Sequence, residues 1–164
     1  YTQEEVYVYN LVEKERKHLK TKMDVIEITD KNLDFLKGQP IAKVLYMNTD
    51  REYLNQIEED LKDITQNSNV TYSSNRYIEF NDKGVNKGAG ITFLADHLGL
   101  DISQTIAIGD NFNDLAMLET AGLSIGVQNM VPELKEKMDY VTEANHNESA
   151  IAEVIEKFIL NRED

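Results

Sequence analysis

The stretch "TIAIGDNFND", residues 105–114, joins a short apolar run to two acids and two amides. The apolar run is typical of a buried strand, and Gly109 allows the chain to turn sharply where that strand ends. Asp110 and Asp114 follow four residues apart, with Asn113 beside the second acid. Ligands of open α/β sheets bind beyond the carboxyl ends of the strands, so the stretch places both acids at the ligand-binding edge.

Two carboxylates at such an edge suit Mg²⁺, which takes one or two protein carboxylates together with water and substrate phosphate. We therefore expect Asp110 and Asp114 to belong to a magnesium site. A purely structural role is the alternative, because Gly-Asp is common in turns and Asn113 is a common type of helix N-cap.

Predicted helices and strands alternate on both sides of this stretch, from residue 88 onward. The helices are expected at about 88–98 and 113–120, from Pro132, and after a Ser149 cap, with strands at 105–109, 123–127 and 139–142. The strands lack the alternation of apolar and charged residues typical of a sheet with one solvated face, which indicates a parallel sheet covered by helices on both faces. The second half of the chain is therefore predicted to be Rossmann-like α/β.

The first half of the chain predicts a different, mixed α/β unit. Thr2 and Glu5 have the spacing of a capping box, so a helix is expected from there to about Lys20. Residues 50–66 have an apolar stripe typical of an amphipathic helix. Two short runs on either side of residues 74–75 are predicted to be the strands of a hairpin.

The glycine- and lysine-rich segment 81–90 separates these halves. We place a domain boundary there, which gives predicted domains 1–80 and 81–164. Lys87 lies in this segment, before a predicted helix and in the same half as Asp110. A lysine near a Mg²⁺ site can neutralise a phosphate or a carboxylate nucleophile as a point charge, and a solvated lysine is the alternative.

Composition excludes several classes of function. The 164 residues carry 30 acids, 17 bases and a formal net charge of −13, which disfavours nucleic acid and anionic membrane as partners. An anionic substrate would therefore need a local cation. The absence of cysteine excludes disulfides, thiolate catalysis and cysteine-based zinc sites. No apolar run approaches a membrane span and no signal peptide is visible, so a cytoplasmic location is expected.

The motifs of the second half resemble a known family. "NKGAGITFLADHLGL" (86–100), "TIAIGDNFNDLAMLETAGLSIGV" (105–127) and "VPELKEKMDYVT" (131–142) are similar to the C-terminal part of Cof-type haloacid-dehalogenase-like phosphatases. The resemblance is greatest to the YidA-like sugar-phosphate phosphatase branch, closely over residues 77–160 and loosely elsewhere. It implies that 81–164 is the C-terminal part of a Rossmann-like core and that the preceding residues are part of a cap domain.

The resemblance also implies a chemistry. In this family an aspartate nucleophile attacks phosphorus to form an aspartyl-phosphate, which water hydrolyses, and Mg²⁺ bridges nucleophile and phosphate. Motif matching makes Asp110 a Mg²⁺ ligand and Asp114 its support, directly or through water. It gives Asn113 and Lys87 catalytic and substrate-binding roles, Asn113 on the phosphate or holding the loop, and Lys87 on the nucleophile and phosphoryl oxygens. The implied substrates are small phosphorylated metabolites, sugar phosphates first among them.

The family's nucleophile motif, DxDG, is missing, since no Asp-x-Asp occurs anywhere in the chain. We therefore expect a C-terminal fragment of a phosphatase that is inactive alone. A sugar phosphomutase of the same superfamily, and a non-enzymatic metal- or anion-binding α/β module, are the alternatives.

Two further features concern the edge of the sheet. "GVQNMVP" (126–132) is two residues shorter than the family's usual "GVAMGNA" segment and lacks its glycine, although Asn129 is still expected to line the edge. The three histidines, His18, His97 and His146, have no acid or serine partner at a spacing that indicates a site.

Overall fold

The computed structural model describes residues 1–20 and 24–160. Two compact units emerge from its contacts, Tyr1–Val70 with Asn75–Lys83, and Thr71–Ser74 with Gly84–Asp164. The division into cap and core at residue 80 stays a prediction, and positions 161–164 of the second predicted domain lie outside the described residues. Across the described part of the chain, no helix combines the length and apolar character that crossing a membrane requires.

Within the described residues up to position 83, the chain forms short strands and two α-helices. In order they are β1 (Tyr7–Tyr9), α1 (Glu13–Lys20), β2 (Ile26–Ile28), a 3₁₀ turn (Asp34–Leu36), β3 (Lys43–Met47), α2 (Arg51–Leu61), β4 (Ser68–Ser73) and β5 (Tyr77–Asp82). Strands β1 and β2 pair in parallel, and a second sheet has the order β3-β5-β4 with β3 and β5 antiparallel. Strands β4 and β5 are neighbours joined by residues 74–76, and Ser74 and Asn75 in this tight turn both have positive φ, so the predicted hairpin is confirmed.

The helix predicted from Thr2 to Lys20 is wrong in its first half. The Thr2 hydroxyl does accept the Glu5 N–H at 3.0 Å, but this contact closes an isolated turn and β1 follows it. Residues 6–9 alternate valine and tyrosine, which favour strands, and β1 gains a parallel partner in β2. Asn10, at φ +55°, ends the strand, and the helix begins only at Glu13.

The remainder of the chain alternates helices with strands. In order its elements are α3 (Lys87–Leu98), a 3₁₀ turn (Ile102–Gln104), β6 (Ile106–Gly109), a 3₁₀ turn (Phe112–Asp114), α4 (Leu115–Thr120), β7 (Leu123–Gly126), a 3₁₀ helix (Pro132–Lys137), β8 (Tyr140–Val141), α5 (Ala150–Ile155) and a π-helical turn (Glu156–Leu160). Strands β6, β7 and β8 form a parallel sheet in that order. The predicted α/β architecture with a parallel, Rossmann-like sheet is confirmed.

The core of this unit lies next to the loop that follows β7. Val127, Met130, Leu134 and Ala150 are buried and cluster together. The helix predicted from Pro132 is a six-residue 3₁₀ helix, a form common in short connections. Its one buried side chain is Leu134, which anchors the connection to the core and thereby fixes where β8 begins.

The predicted cap at Ser149 is only half right. Ser149 does precede α5, but its φ is +65° and its side chain makes no capping hydrogen bond. Glycine adopts this left-handed conformation without the steric cost that a serine Cβ incurs. The position is therefore strained, and it lies on the loop that leads from β8 to α5.

Ser149→Gly is expected to raise the free energy of unfolding by about 0.5 kcal/mol, because relief of the left-handed strain exceeds the added freedom of the unfolded chain. Urea unfolding followed by circular dichroism measures the change. Ser103→Gly is the matched control, since Ser103 lies in a 3₁₀ turn and donates to Asp101 at 2.6 Å, so the same substitution there should destabilise. Loss of stability in both variants would contradict the prediction.

Candidate active site

The structure brings Lys87 and Asp114 together, although they are 27 positions apart. The Lys87 Nζ lies 2.5 Å from Asp114 Oδ1. Asp110 directly follows β6 at its carboxyl end, and Asn113 lies in the 3₁₀ turn that leads to α4. All four residues of the predicted site thus belong to one unit and to one end of the parallel sheet.

The start of α3 sets the position of Lys87. The Asn86 side chain accepts the Ala89 N–H at 2.9 Å and caps the helix, so Lys87 is its first residue. Gly88 is buried, and a Cβ there would lie 2.5 Å from the Ala116 carbonyl oxygen of α4. The missing side chain therefore permits a close approach of α3 to α4, which carries the lysine to the acid.

The Asp114 carboxylate is buried and fully engaged by its neighbours. It is only 6% exposed, and both carboxylate oxygens have partners: Oδ1 meets Lys87, while Oδ2 accepts the N–H groups of Asp110 at 3.0 Å and Asn111 at 3.4 Å. A Cβ on Gly109 would lie 2.6 Å from the Asp114 Cβ, so the glycine leaves room for the acid to fold under the turn. Direct coordination of a metal by this carboxylate stays a prediction.

The electrostatics of Asp114 favour its charged form. Burial on its own raises the pKa of the Asp114 carboxyl, but the Lys87 hydrogen bond and the Asp110 N–H outweigh it and bring the pKa below the ordinary value of 3.8. The carboxylate is therefore ionised at neutral pH and pairs with the lysine as a charge-assisted hydrogen bond.

This lowered pKa predicts an acid-sensitive contribution to stability. The contribution is fully present above the unfolded-state pKa of about 3.9 and is lost as the pH falls through the lower folded-state pKa. Urea unfolding at pH 7, 5 and 3 should show wild type losing more stability between pH 5 and 3 than Asp114→Asn. Parallel pH profiles for the two proteins would contradict this prediction.

Asp110 and Asn113 have polar groups that the protein itself leaves open. The Asp110 carboxylate is 47% exposed and, within the described residues, accepts no hydrogen bond. Its main-chain oxygen accepts the Val131 N–H at 2.9 Å, which fixes the turn. Asn113 is half-buried, and its side-chain amide makes no hydrogen bond to any part of the chain that the structure describes. Both groups are free to meet a ligand.

Sequence reasoning missed one residue at this edge. His146, in the loop after β8, lies with Nδ1 3.8 Å from Asp110 Oδ2 and 2.8 Å from Asn129 Nδ2. Spacing along the chain gives no sign of this, since the residues follow three different strands. The available signal was topological, because the carboxyl ends of parallel strands share one edge. The expectation that Asn129 lines the edge is confirmed.

Comparison with known proteins identifies the family. The model of the haloacid dehalogenase-like hydrolases matches residues 1–155. The chain belongs to the haloacid dehalogenase-like hydrolase family. Among curated relatives, a 5-amino-6-(5-phospho-D-ribitylamino)uracil phosphatase of Bacillus subtilis is 37% identical over 74% of this chain and 42% of its own length. A phosphoglycolate phosphatase of Methanothermobacter thermautotrophicus is 40% identical over 54% and 39%.

Comparison of the fold with solved structures also finds members of this family. A haloacid dehalogenase-like hydrolase from Bacteroides thetaiotaomicron is 28% identical, with a TM-score of 0.74 over 95% of this chain and 58% of that one. The chain spans only 34–42% of the length of the first curated relatives it matches.

The donor set at this edge fits Mg²⁺ in part. Asp110 offers an exposed, ionisable carboxylate, and Mg²⁺ needs only one or two protein carboxylates when water and substrate oxygens complete its shell. Over residues 1–20 and 24–160, no group of three histidine, aspartate or glutamate side chains forms a ready metal site. The described residues of this haloacid dehalogenase-like hydrolase thus supply one open ligand at the edge, and Asp114 is engaged with Lys87.

Proposed function

We propose that the protein carrying this chain is a Mg²⁺-dependent phosphatase of small phosphorylated metabolites, with sugar phosphates as the favoured class. The observation that carries the proposal is the Lys87–Asp114 contact beside the open Asp110 carboxylate. This contact fixes a cation at one edge of a chain whose net charge is −13. The relatives from Bacillus subtilis and Methanothermobacter thermautotrophicus are named for phosphatase activity on small phosphorylated compounds, which supports the same substrate class.

Each residue of this chain has a separate task in the proposed reaction. Asp114 orients Lys87, and an ammonium has three donors, so donors remain for a phosphoryl oxygen. The Asn113 amide donates to a second phosphoryl oxygen. Asp110 holds Mg²⁺, which, when bound, offsets the negative charge that develops on the transferring phosphoryl group.

The nucleophile of the proposed reaction lies outside these 164 residues, which contain no Asp-x-Asp. An aspartate carboxylate attacks phosphorus, the bond from phosphorus to the substrate oxygen breaks, and the leaving alkoxide takes a proton from water to depart as an alcohol. Water then attacks the aspartyl-phosphate, which releases inorganic phosphate and restores the carboxylate. The 164-residue chain alone is accordingly proposed to be inactive.

Phosphate release from p-nitrophenyl phosphate in the presence of Mg²⁺ tests the proposal. We expect none from the 164-residue chain, and Mg²⁺-dependent release from the gene product that includes any sequence upstream of Tyr1. Asp110→Asn should abolish that release, whereas Glu119→Gln, which changes an exposed carboxylate on α4, should not.

Three results would contradict the proposal. They are turnover by the short chain, turnover by the longer product that survives Asp110→Asn, and no release by the longer product from p-nitrophenyl phosphate or a panel of sugar phosphates. An isomerised sugar phosphate in place of free phosphate would favour the phosphomutase alternative.

A further inference from the structure

Three loops meet at the carboxyl edge of the parallel sheet, and one contact there has no role in the proposed reaction. Asp110 follows β6, Asn129 lies beyond β7, and His146 lies beyond β8. The Asn129 side chain contacts His146 twice. Its Oδ1 accepts the His146 main-chain N–H at 3.0 Å, and its Nδ2 lies 2.8 Å from the imidazole Nδ1.

This double contact determines what the imidazole offers to Asp110. Because Oδ1 of Asn129 takes the His146 N–H, the amide nitrogen is the group that faces the ring. An amide nitrogen only donates, so Nδ1 of His146 is the acceptor and the ring proton lies on Nε2. Nδ1 is the ring atom that lies 3.8 Å from Asp110 Oδ2. Its lone pair is therefore already engaged by the hydrogen bond from Asn129.

The distance between Nδ1 and Asp110 Oδ2 is one that a single metal ion could span. Two ligand atoms each about 2.1 Å from an ion lie between about 3.0 Å apart, at a right angle, and about 4.2 Å apart, in line. The observed 3.8 Å falls within that range. If the Nδ1 lone pair were free, His146 and Asp110 would together offer one nitrogen and one oxygen to the same ion.

We propose that Asn129 is a metal-selectivity residue, which holds the His146 lone pair away from an ion at Asp110 and so keeps that site oxygen-only. Oxygen ligands suit Mg²⁺, whereas an imidazole nitrogen favours Ni²⁺, Zn²⁺ and other metals that bind more tightly to mixed sites. The inference rests on the proposed role of Asp110 in holding Mg²⁺. It gives the shortened segment after β7 a function, since that segment carries Asn129.

The loops around the pair are tied independently of Asn129. The buried Thr142 hydroxyl donates to the Ala144 carbonyl at 2.6 Å and accepts the Gln128 N–H at 3.1 Å. The Gln128 N–H also approaches the Ala144 carbonyl at 3.3 Å. Asn129→Ala therefore removes the contact with the ring, while the hydrogen bonds of Gln128 with Thr142 and Ala144 still join the two loops.

Titration calorimetry of the 164-residue chain with Ni²⁺ and Mg²⁺ tests the inference in wild type, Asn129→Ala, His146→Gln and the double variant. We expect Asn129→Ala to bind Ni²⁺ about tenfold more tightly than wild type, and the double variant to lose that gain. His146→Gln alone should change Ni²⁺ affinity less than about twofold, since Nδ1 is already occupied. The His146 substitution also corrects for Ni²⁺ bound at His18 or His97.

Nitrogen NMR of the His146 ring gives a second measurement that needs no metal. Wild type should show the proton on Nε2 and an unprotonated Nδ1. Asn129→Asp should reverse this, because a carboxylate oxygen facing Nδ1 can only accept a hydrogen bond. This arm also holds if Asn129→Ala folds poorly.

The other possible results contradict either the selectivity role of Asn129 or the proposed function, and the two failures can be told apart. An unchanged Ni²⁺ affinity in Asn129→Ala, a Ni²⁺ loss of about tenfold in His146→Gln alone, or a wild-type ring protonated on Nδ1 overturns the selectivity role. A fifth protein, Asp110→Asn, is titrated with Mg²⁺ alone. Mg²⁺ binding heat that persists unchanged in this variant contradicts the proposed function instead, and the Ni²⁺ comparison still tests the role of Asn129.

Discussion

Asp114→Ala is expected to lower the free energy of unfolding by about 3 kcal/mol, a larger loss than any other single substitution at this edge of the sheet should cause. The substitution leaves three donors without their acceptor: the Lys87 ammonium and the N–H groups of Asp110 and Asn111. The acid is 6% exposed, so water does not replace it freely on the inner side. Half of the Lys87 side chain is exposed, which keeps the loss at the lower end of the range for buried pairs.

An exposed ion pair of the same unit provides the control for this prediction. Glu119 and Lys137 lie 3.5 Å apart, with more than half of each side chain exposed. Exposed pairs contribute little, so Glu119→Ala should change the free energy of unfolding by less than about 0.5 kcal/mol. Urea unfolding at pH 7 measures both variants. Equal losses in the free energy of unfolding at the two positions would show that the burial of Asp114 adds nothing to the stability that its contacts provide.

The parallel sheet was predictable because its signals are local and agree with one another. The run 105–109 is apolar and ends at a glycine followed by acids, and the run 123–127 repeats the apolar pattern after a helix of the right length. The parallel direction then follows from the general preference for parallel strands in such alternations. Asp110 lies at the carboxyl end of β6 for the same reason.

Predictions from short stretches of sequence were wrong where pairing with distant residues competes with the local preference. The Thr2–Glu5 contact forms, as its spacing predicts, yet no helix follows, because the valines and tyrosines of β1 gain a partner in β2 about 19 residues later. Ser149 lies where a cap is expected, but the chain enters α5 with a left-handed backbone and the side chain makes no capping hydrogen bond. Neither outcome is encoded within a window of a few residues.

In the candidate site too, the residues carried by local motifs were predicted and a residue brought in by distant strand pairing was not. Lys87 and Asp114 were predicted to belong to one site, with Lys87 on the nucleophile and phosphoryl oxygens, and the structure places the lysine in contact with Asp114 itself. His146 was not, because its closeness to Asp110 arises only when β7 and β8 align beside β6. The metal itself, and the roles of Asn113 and Lys87 in catalysis, stay predictions that binding and activity measurements decide.

Gly88→Ala is expected to lower the free energy of unfolding by about 2 kcal/mol, although alanine is the better helix former. The new Cβ would lie 2.5 Å from the Ala116 carbonyl oxygen, and main chain cannot swing aside as a flexible side chain can. Helix α3 must therefore move away from α4. Since Lys87 is the neighbouring residue, its ammonium moves away from Asp114 as well.

Gly90 of the same helix is the matched control, because a Cβ there has nothing within 4 Å. Gly90→Ala should raise stability by about 0.5–1 kcal/mol through helix propensity alone. The same substitution, made two residues apart on one helix, is thus expected to change the free energy of unfolding in opposite directions. Urea unfolding measures the signs, and carboxyl NMR should show the pKa of Asp114 higher in Gly88→Ala than in wild type, since the lysine that lowers it has withdrawn. If both variants gain stability, the close approach of α3 to α4 does not position Lys87, and another contact must hold it against Asp114.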